Sequence, residues 1–216
     1  MEFCMYSLRH LMDSMTHFQD SQLLQILRDV VLGLKSLHSK HIVHLDIKPE
    51  NILYSRSNRY KIADLGLSRL AIRSKGEDLI EGDCRYLAPE LLNDVTEDYT
   101  PDLTKADIFS LGVTFYEIVC RKKMPSNGDE WHKIRSLQLE GLDNDIFHSE
   151  MLKNLIKDMM NPNPELRPSA ENLLNSRYLG GEGNGEVLWE RLENKILKEK
   201  VKELEEKLKL IKRKSF

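Results

Sequence analysis

The stretch His44-Leu45-Asp46-Ile47-Lys48-Pro49-Glu50-Asn51 decides how the rest of this chain is read. It places an aspartate, a lysine two positions on and an asparagine five positions on inside one short loop. Phosphoryl transfer asks for that set: an acceptor for a substrate hydroxyl proton, a cation for the phosphate and an oxygen ligand for a metal. Any one of the three alone would be an ordinary turn residue. The flanks give the set its weight, because Ile42-Val43 before it and Ile52-Leu53-Tyr54 after it are strand-like runs that would pin the loop at a sheet edge.

Working outward, Leu23, Leu24, Leu27, Val30, Val31, Leu34 and Leu37 recur at three-and-four spacing, which predicts a helix from Ser21 to about Ser39, capped by Asp20 or Ser21. The stretch before it, to His17, has no clear period. On the other side, Tyr60-Lys61-Ile62-Ala63 returns after the turn-rich Ser55-Arg56-Ser57-Asn58, a small hairpin that delivers Asp64 in Asp64-Leu65-Gly66. Ala88-Pro89-Glu90 closes a 27-residue segment that begins at Asp64. Lys105 to about Cys120 is apolar on nearly every side and reads as a central helix wrapped by others. Asp107 is then a buried acid in need of donors, and the backbone amides of the 44–51 loop are the natural ones. Further helical patterns cover His132 to Gln138, Met151 to Met160 and Ser169 to Asn175. Gly180-Gly181-Glu182-Gly183-Asn184-Gly185 follows no strand and precedes no Lys-Ser or Lys-Thr, so it reads as a linker rather than a phosphate cradle. In the charged helix expected from Glu186 to Lys214, Leu197, Val201, Leu204, Leu208 and Ile211 alternate four and three apart. That is a short coiled-coil seam, or a helix that folds back on the domain.

The 216 residues suffice for one sizeable core plus an appendage, and 40% hydrophobic with 31% charged residues is ordinary for a folded domain. A net charge of −3 suggests no nucleic-acid partner. Cys4, Cys84 and Cys120 are widely spaced and odd in number, which suggests neither a disulfide framework nor a zinc site. The sequence shows no leader pattern and no apolar run of bilayer length, so the expectation is a nuclear or cytoplasmic protein without a membrane partner.

These residues together resemble the C-terminal lobe of a protein kinase, most closely the Wee-type mitotic inhibitor kinases of the Wee/Myt group. The general likeness spans residues 1 to about 178. The Wee-like part lies in Leu45, in Glu81-Gly82-Asp83-Cys84-Arg85-Tyr86-Leu87-Ala88-Pro89-Glu90, and in Asn127-Gly128-Asp129-Glu130-Trp131-His132-Lys133-Ile134-Arg135. The implied fold is mainly α: a kinase-like C-lobe over 1–178 with a small β hairpin at the catalytic loop, a Gly-rich linker over 179–185, and a coiled-coil-like helix over 186–216.

The resemblance implies Asp46 as catalytic base, Lys48 as the neutraliser of the transferred phosphate and part of the nucleotide site, and Asn51 with Asp64 as ligands of Mg2+ beside ATP. It implies Glu2 and Cys4 at the adenine edge and Leu53 beneath the ring. Glu90 would pair with a distant arginine, and Arg167 is the candidate. The implied activity is phosphorylation of an inhibitory tyrosine of a cyclin-dependent kinase, although Lys48-Pro49 is a pattern usual in serine/threonine kinases. The alternative is a non-catalytic scaffold that binds such a kinase. Leu45 stands where many kinases carry an arginine that clamps a phosphorylated activation segment, so activity without that phosphorylation is expected even though Ser68, Ser74 and Tyr86 are available. No G-x-G-x-x-G loop occurs and no lysine precedes Lys35, so residues 1–216 alone are expected to be a truncated, inactive form. An apolar patch is expected near Phe3, Met5 and the strands around His44 and Leu65, together with weak self-association through residues 197–211.

Overall fold

The computed structural model describes residues 3–15, 17–71, 82–92, 102–146, 148–176 and 179. Glu2, Ser74, most of the Gly-rich linker and the charged segment 186–216 lie outside the described residues, as do the expectations placed on them.

β1 (Cys4–Ser7) runs straight into α1 (Leu8–Ser14), whose start is capped by Ser7 Oγ accepting from the His10 amide at 3.2 Å. α2 (Asp20–His38) has the predicted apolar stripe, and Leu23, Leu24, Leu27, Val30, Val31 and Leu34 are all buried. Each contributes about 1.5–3 kcal/mol against the entropy of ordering the chain. Its cap differs from the expectation. Gln19 closes a reciprocal box with Gln22, while Asp20 lies inside the helix, buried, and accepts from the Ser149 amide at 2.9 Å. A tertiary partner has claimed the carboxylate that local preference assigned to capping.

β2 (Ile42–Val43) precedes the loop of interest, and β3 (Ile52–Ser55) and β4 (Tyr60–Ile62) form the expected hairpin, with Ile52 opposite Ile62. β1 pairs antiparallel with β3, giving the order β1-β3-β4, and β5 (Arg69–Leu70) pairs antiparallel with β2. The second pairing, which the sequence pattern did not reveal, ties the chain after Asp64 back to the strand before the loop.

The helical half is built on α3 (Thr104–Cys120), whose residues 106–119 are all buried. α4 (Gly128–Arg135) starts four residues before the expected His132 and ends three before Gln138, because Leu137 takes a left-handed φ of 63° that stops the helix. α5 (Glu150–Met159) crosses α3 at Gly112, where an added methyl would stand 2.6 Å from Met160 Cγ and 3.0 Å from Met159 Cβ. α6 (Ala170–Asn175) packs on α2. Arg167, completely buried, grips Glu90 in a two-pronged pair at 2.5 and 2.7 Å, as expected. Leu179 is also buried in the core.

Phe3 (66% exposed), Met5, Tyr6, Leu65 (58%) and Leu70 are exposed apolar side chains. His44 does not belong with them, since it is fully buried. No helix among the described residues is long and apolar enough to cross a membrane.

Candidate active site

Asp107, in the first turn of α3, fixes the loop from below. One carboxylate oxygen accepts from the Leu45 amide at 2.8 Å, and the other accepts from the His44 amide at 2.9 Å and meets His38 Nε2 at 2.8 Å. With both oxygens engaged the acid can stay buried, which is the arrangement its place in an apolar helix demanded. Leu45 is held at φ 63° with its side chain in the core, an uncommon conformation for a branched residue that the Asp107 contacts over-determine.

His44 carries the geometry onward. The Asp46 amide donates to His44 Nδ1 at 3.2 Å, so the ring proton sits on Nε2, which donates to the Ala63 carbonyl at 3.1 Å. Asp46 thereby leaves the turn with its carboxylate toward Lys48 and Asn51. Its Oδ2 lies 2.9 Å from Lys48 Nζ and accepts from Asn51 Nδ2 at 2.7 Å, while the same Nδ2 donates to the Asp46 carbonyl at 2.9 Å. Three residues named from sequence therefore meet around one carboxylate oxygen.

The hairpin brings in the fourth. The Ala63 amide donates to the Asn51 carbonyl at 2.9 Å, so Asp64 emerges beside Asn51 at the open end of β3 and β4. Asp64 has a left-handed φ of 65°, and its Oδ1 accepts from the Gly66 amide at 3.1 Å. The Asn51 amide spends its nitrogen on Asp46, which turns Oδ1 away from that residue, and Asp64 is exposed. One amide oxygen and one carboxylate fit a magnesium ion, a hard cation that takes a few protein oxygens and completes its shell with water and phosphate. Among the described residues no group of three or more His, Cys, Asp or Glu side chains gathers as a metal site of its own. Cys4 and Leu53 lie in one sheet, but Cys4 is opposite Ser55, while the half-buried Leu53 is opposite Ser7 and Lys61.

Sequence reading missed a chain of alternating charge that continues from this cluster. Lys48 Nζ lies 3.9 Å from Asp83, which Arg85 grips at 2.9 and 2.6 Å. Arg85 reaches Glu50 at 3.9 Å, and Arg9 joins Glu50 at 3.0 Å to the buried Glu117 at 2.9 Å. The Arg85 hydrogen bonds hold the Asp83 carboxyl below the usual carboxylate range. Burial alone would lower Arg9, but Glu117 and Glu50 outweigh it and the guanidinium is raised. Tyr86 donates to Glu117 at 2.6 Å. Burial, then that contact, raises its hydroxyl. At 2% exposure Tyr86 is no accessible phosphorylation site, which corrects the expectation drawn from sequence. The quoted signature Glu81–Glu90 was the only sequence sign of this chain, since its members stand as many as 108 positions apart.

The loop, its brace and the arrival of Asp64 next to it at the hairpin are those of a protein kinase. The protein kinase domain family matches residues 1–179, and the chain belongs to that family. Within it the chain is similar to Wee-type enzymes. It is 39% identical over 176 residues to the membrane-associated tyrosine- and threonine-specific cdc2-inhibitory kinase of Drosophila melanogaster, covering 81% of this chain and 32% of that protein. It is 40% identical over 186 residues to Wee1-like protein kinase 2 of Ailuropoda melanoleuca, covering 76% and 31%, and 37% identical over 163 residues to the Wee1-like protein kinase of Oryza sativa, covering 76% and 29%. The chain spans about a third of the length of these relatives.

Proposed function

We propose that this lobe serves a Wee-type protein kinase that transfers the γ-phosphate of ATP to an inhibitory tyrosine of a cyclin-dependent kinase. The observation that carries the reading is the meeting of Lys48 and Asn51 on Asp46 Oδ2. A scaffold would need none of the three. Asp46 orients the acceptor hydroxyl and takes its proton, Lys48 offsets charge on the moving phosphoryl group, and Asn51 with Asp64 holds magnesium. Magnesium, when bound with ATP, supplies positive charge to the phosphate oxygens. The choice of a cyclin-dependent kinase and of tyrosine follows the Wee-type relatives, one of which is named a cdc2-inhibitory kinase specific for tyrosine and threonine.

The test is Asp46→Asn in a full-length kinase carrying this lobe, assayed on an intact cyclin-dependent kinase and on the same substrate with its inhibitory tyrosine changed to phenylalanine. Transfer is expected to fall by at least about 1000-fold, with nucleotide affinity within a few-fold, because the hydroxyl contact is used only in the reaction. Near-normal turnover would remove Asp46 from the role, and undiminished labelling of the phenylalanine substrate would refute the tyrosine acceptor.

A further inference from the structure

α4 meets the turn 83–86 through contacts that the reaction described above does not use. The turn closes with the Tyr86 amide donating to the Asp83 carbonyl at 2.9 Å. Between those residues the Cys84 carbonyl accepts twice, from Trp131 Nε1 at 2.9 Å and from Arg135 Nη2 at 2.7 Å. The same Nη2 reaches the Arg85 carbonyl at 3.3 Å, and Nη1 returns to the Trp131 carbonyl at 3.2 Å. The guanidinium carbon sits 3.5 Å from the centroid of the Trp131 ring.

Arg135 is only 6% exposed and, among the described residues, has no carboxylate partner and no acceptor for its Nε. Burial lowers its guanidinium to about 10. A desolvated cation held by three carbonyl dipoles and one aromatic face is a costly way to fasten two surface elements, and apolar packing would do so more simply. What the arginine adds is direction. Its Nη2 and the indole N–H converge on the Cys84 carbonyl, in the turn that presents Asp83 to Lys48 and Arg85 to Glu50, while its Nη1 stays anchored to α4 at the Trp131 carbonyl.

We propose that Trp131 and Arg135 are positioning residues for the protein acceptor, holding the turn 83–86 so that its geometry is set without a phosphate on the activation segment. This rests on Lys48 serving the transferred phosphoryl group, as proposed above. Leu45 offers no cation to a phosphorylated segment, so a tether from elsewhere must do that work, and α4 provides one. A lysine at 135 has a single nitrogen, so it could not serve the Trp131 carbonyl with one arm and the Cys84 carbonyl with another while lying flat on the indole.

The experiment uses the full-length kinase with Arg135→Met, Arg135→Lys and Trp131→Phe. It measures transfer to the protein substrate beside hydrolysis of ATP by water. Arg135→Met is expected to lower kcat/KM for the protein substrate about 10–100-fold while KM for ATP and the water reaction stay within about twofold. Arg135→Lys should fall nearly as far, and Trp131→Phe, which keeps the ring and loses the donor, about 3–10-fold. Phosphatase treatment of the parent enzyme should leave transfer intact. Equal loss in both reactions would assign α4 a merely structural role and overturn the proposal, as would normal transfer in all three variants or silencing by phosphatase. If Arg135→Met does not fold, the milder Trp131→Phe still reads the split. A parallel Asp46→Asn enzyme separates the two readings: if it stays active the roles proposed for the catalytic loop fail, whereas if it is dead beside a fully active Trp131→Phe and Arg135→Lys only the tether fails.

Discussion

Asp83 shows how a single side chain can matter to both reaction and folding. The Arg85 hydrogen bonds hold its folded-state pKa below that of the unfolded chain, so in acid the native state binds fewer protons than the unfolded one. Its contribution to stability is present above the ordinary carboxylate pKa and is lost as pH falls through the depressed value. Asp83→Asn should therefore lower stability at neutral pH and flatten the decline below about pH 4. Denaturant unfolding across pH 2–7 checks this, and parallel acid limbs in the two proteins would contradict it. Asp107 was legible in the sequence because an acid in a nearly all-apolar helix must find donors, and the loop that follows His44 offered them. Glu117 lies in the same helix, but its partner Arg9 stands 108 positions away and no local pattern pointed to it, while Asp83 and Arg9 look like ordinary surface charges until the fold brings distant segments together.

At the scale of elements, periodicity located α2, α3, α5 and the β3–β4 hairpin, and it failed where tertiary partners override local preference. Asp20 left the capping position to bind the Ser149 amide, and α4 was set by the left-handed Leu137 rather than by an apolar repeat. The β2–β5 ribbon escaped notice because two residues on each side carry no readable alternation. The α3–α5 crossing supplies a sharp test. Gly112→Ala must displace Met160 and the body of α5, so it should destabilise by about 1–3 kcal/mol despite alanine's better helix propensity. A thermal midpoint equal to or above that of the parent would show that the helices can separate at little cost.

For the whole molecule, the polypeptide of residues 1–216 on its own is expected to bind ATP poorly and to transfer no phosphate at a measurable rate. Its sequence contains no glycine-rich cover for the phosphates, and the side chains of Phe3, Met5 and Tyr6 are exposed. Calorimetry with magnesium and ATP, together with a kinase assay, decides this, and micromolar binding with turnover would refute it. α3 has one more consequence. Asp107 holds the catalytic loop, Ser110 the Tyr86 carbonyl, and Glu117 the Tyr86 hydroxyl and Arg9. The helix thus works as a ruler about 15 Å long, on which three graduations fall at fixed height and azimuth. Point substitutions can blunt one graduation at a time, but one residue inserted between 107 and 117 would swing everything beyond it through about 100°. The lobe is thus far more tolerant of altered letters along α3 than of an altered count.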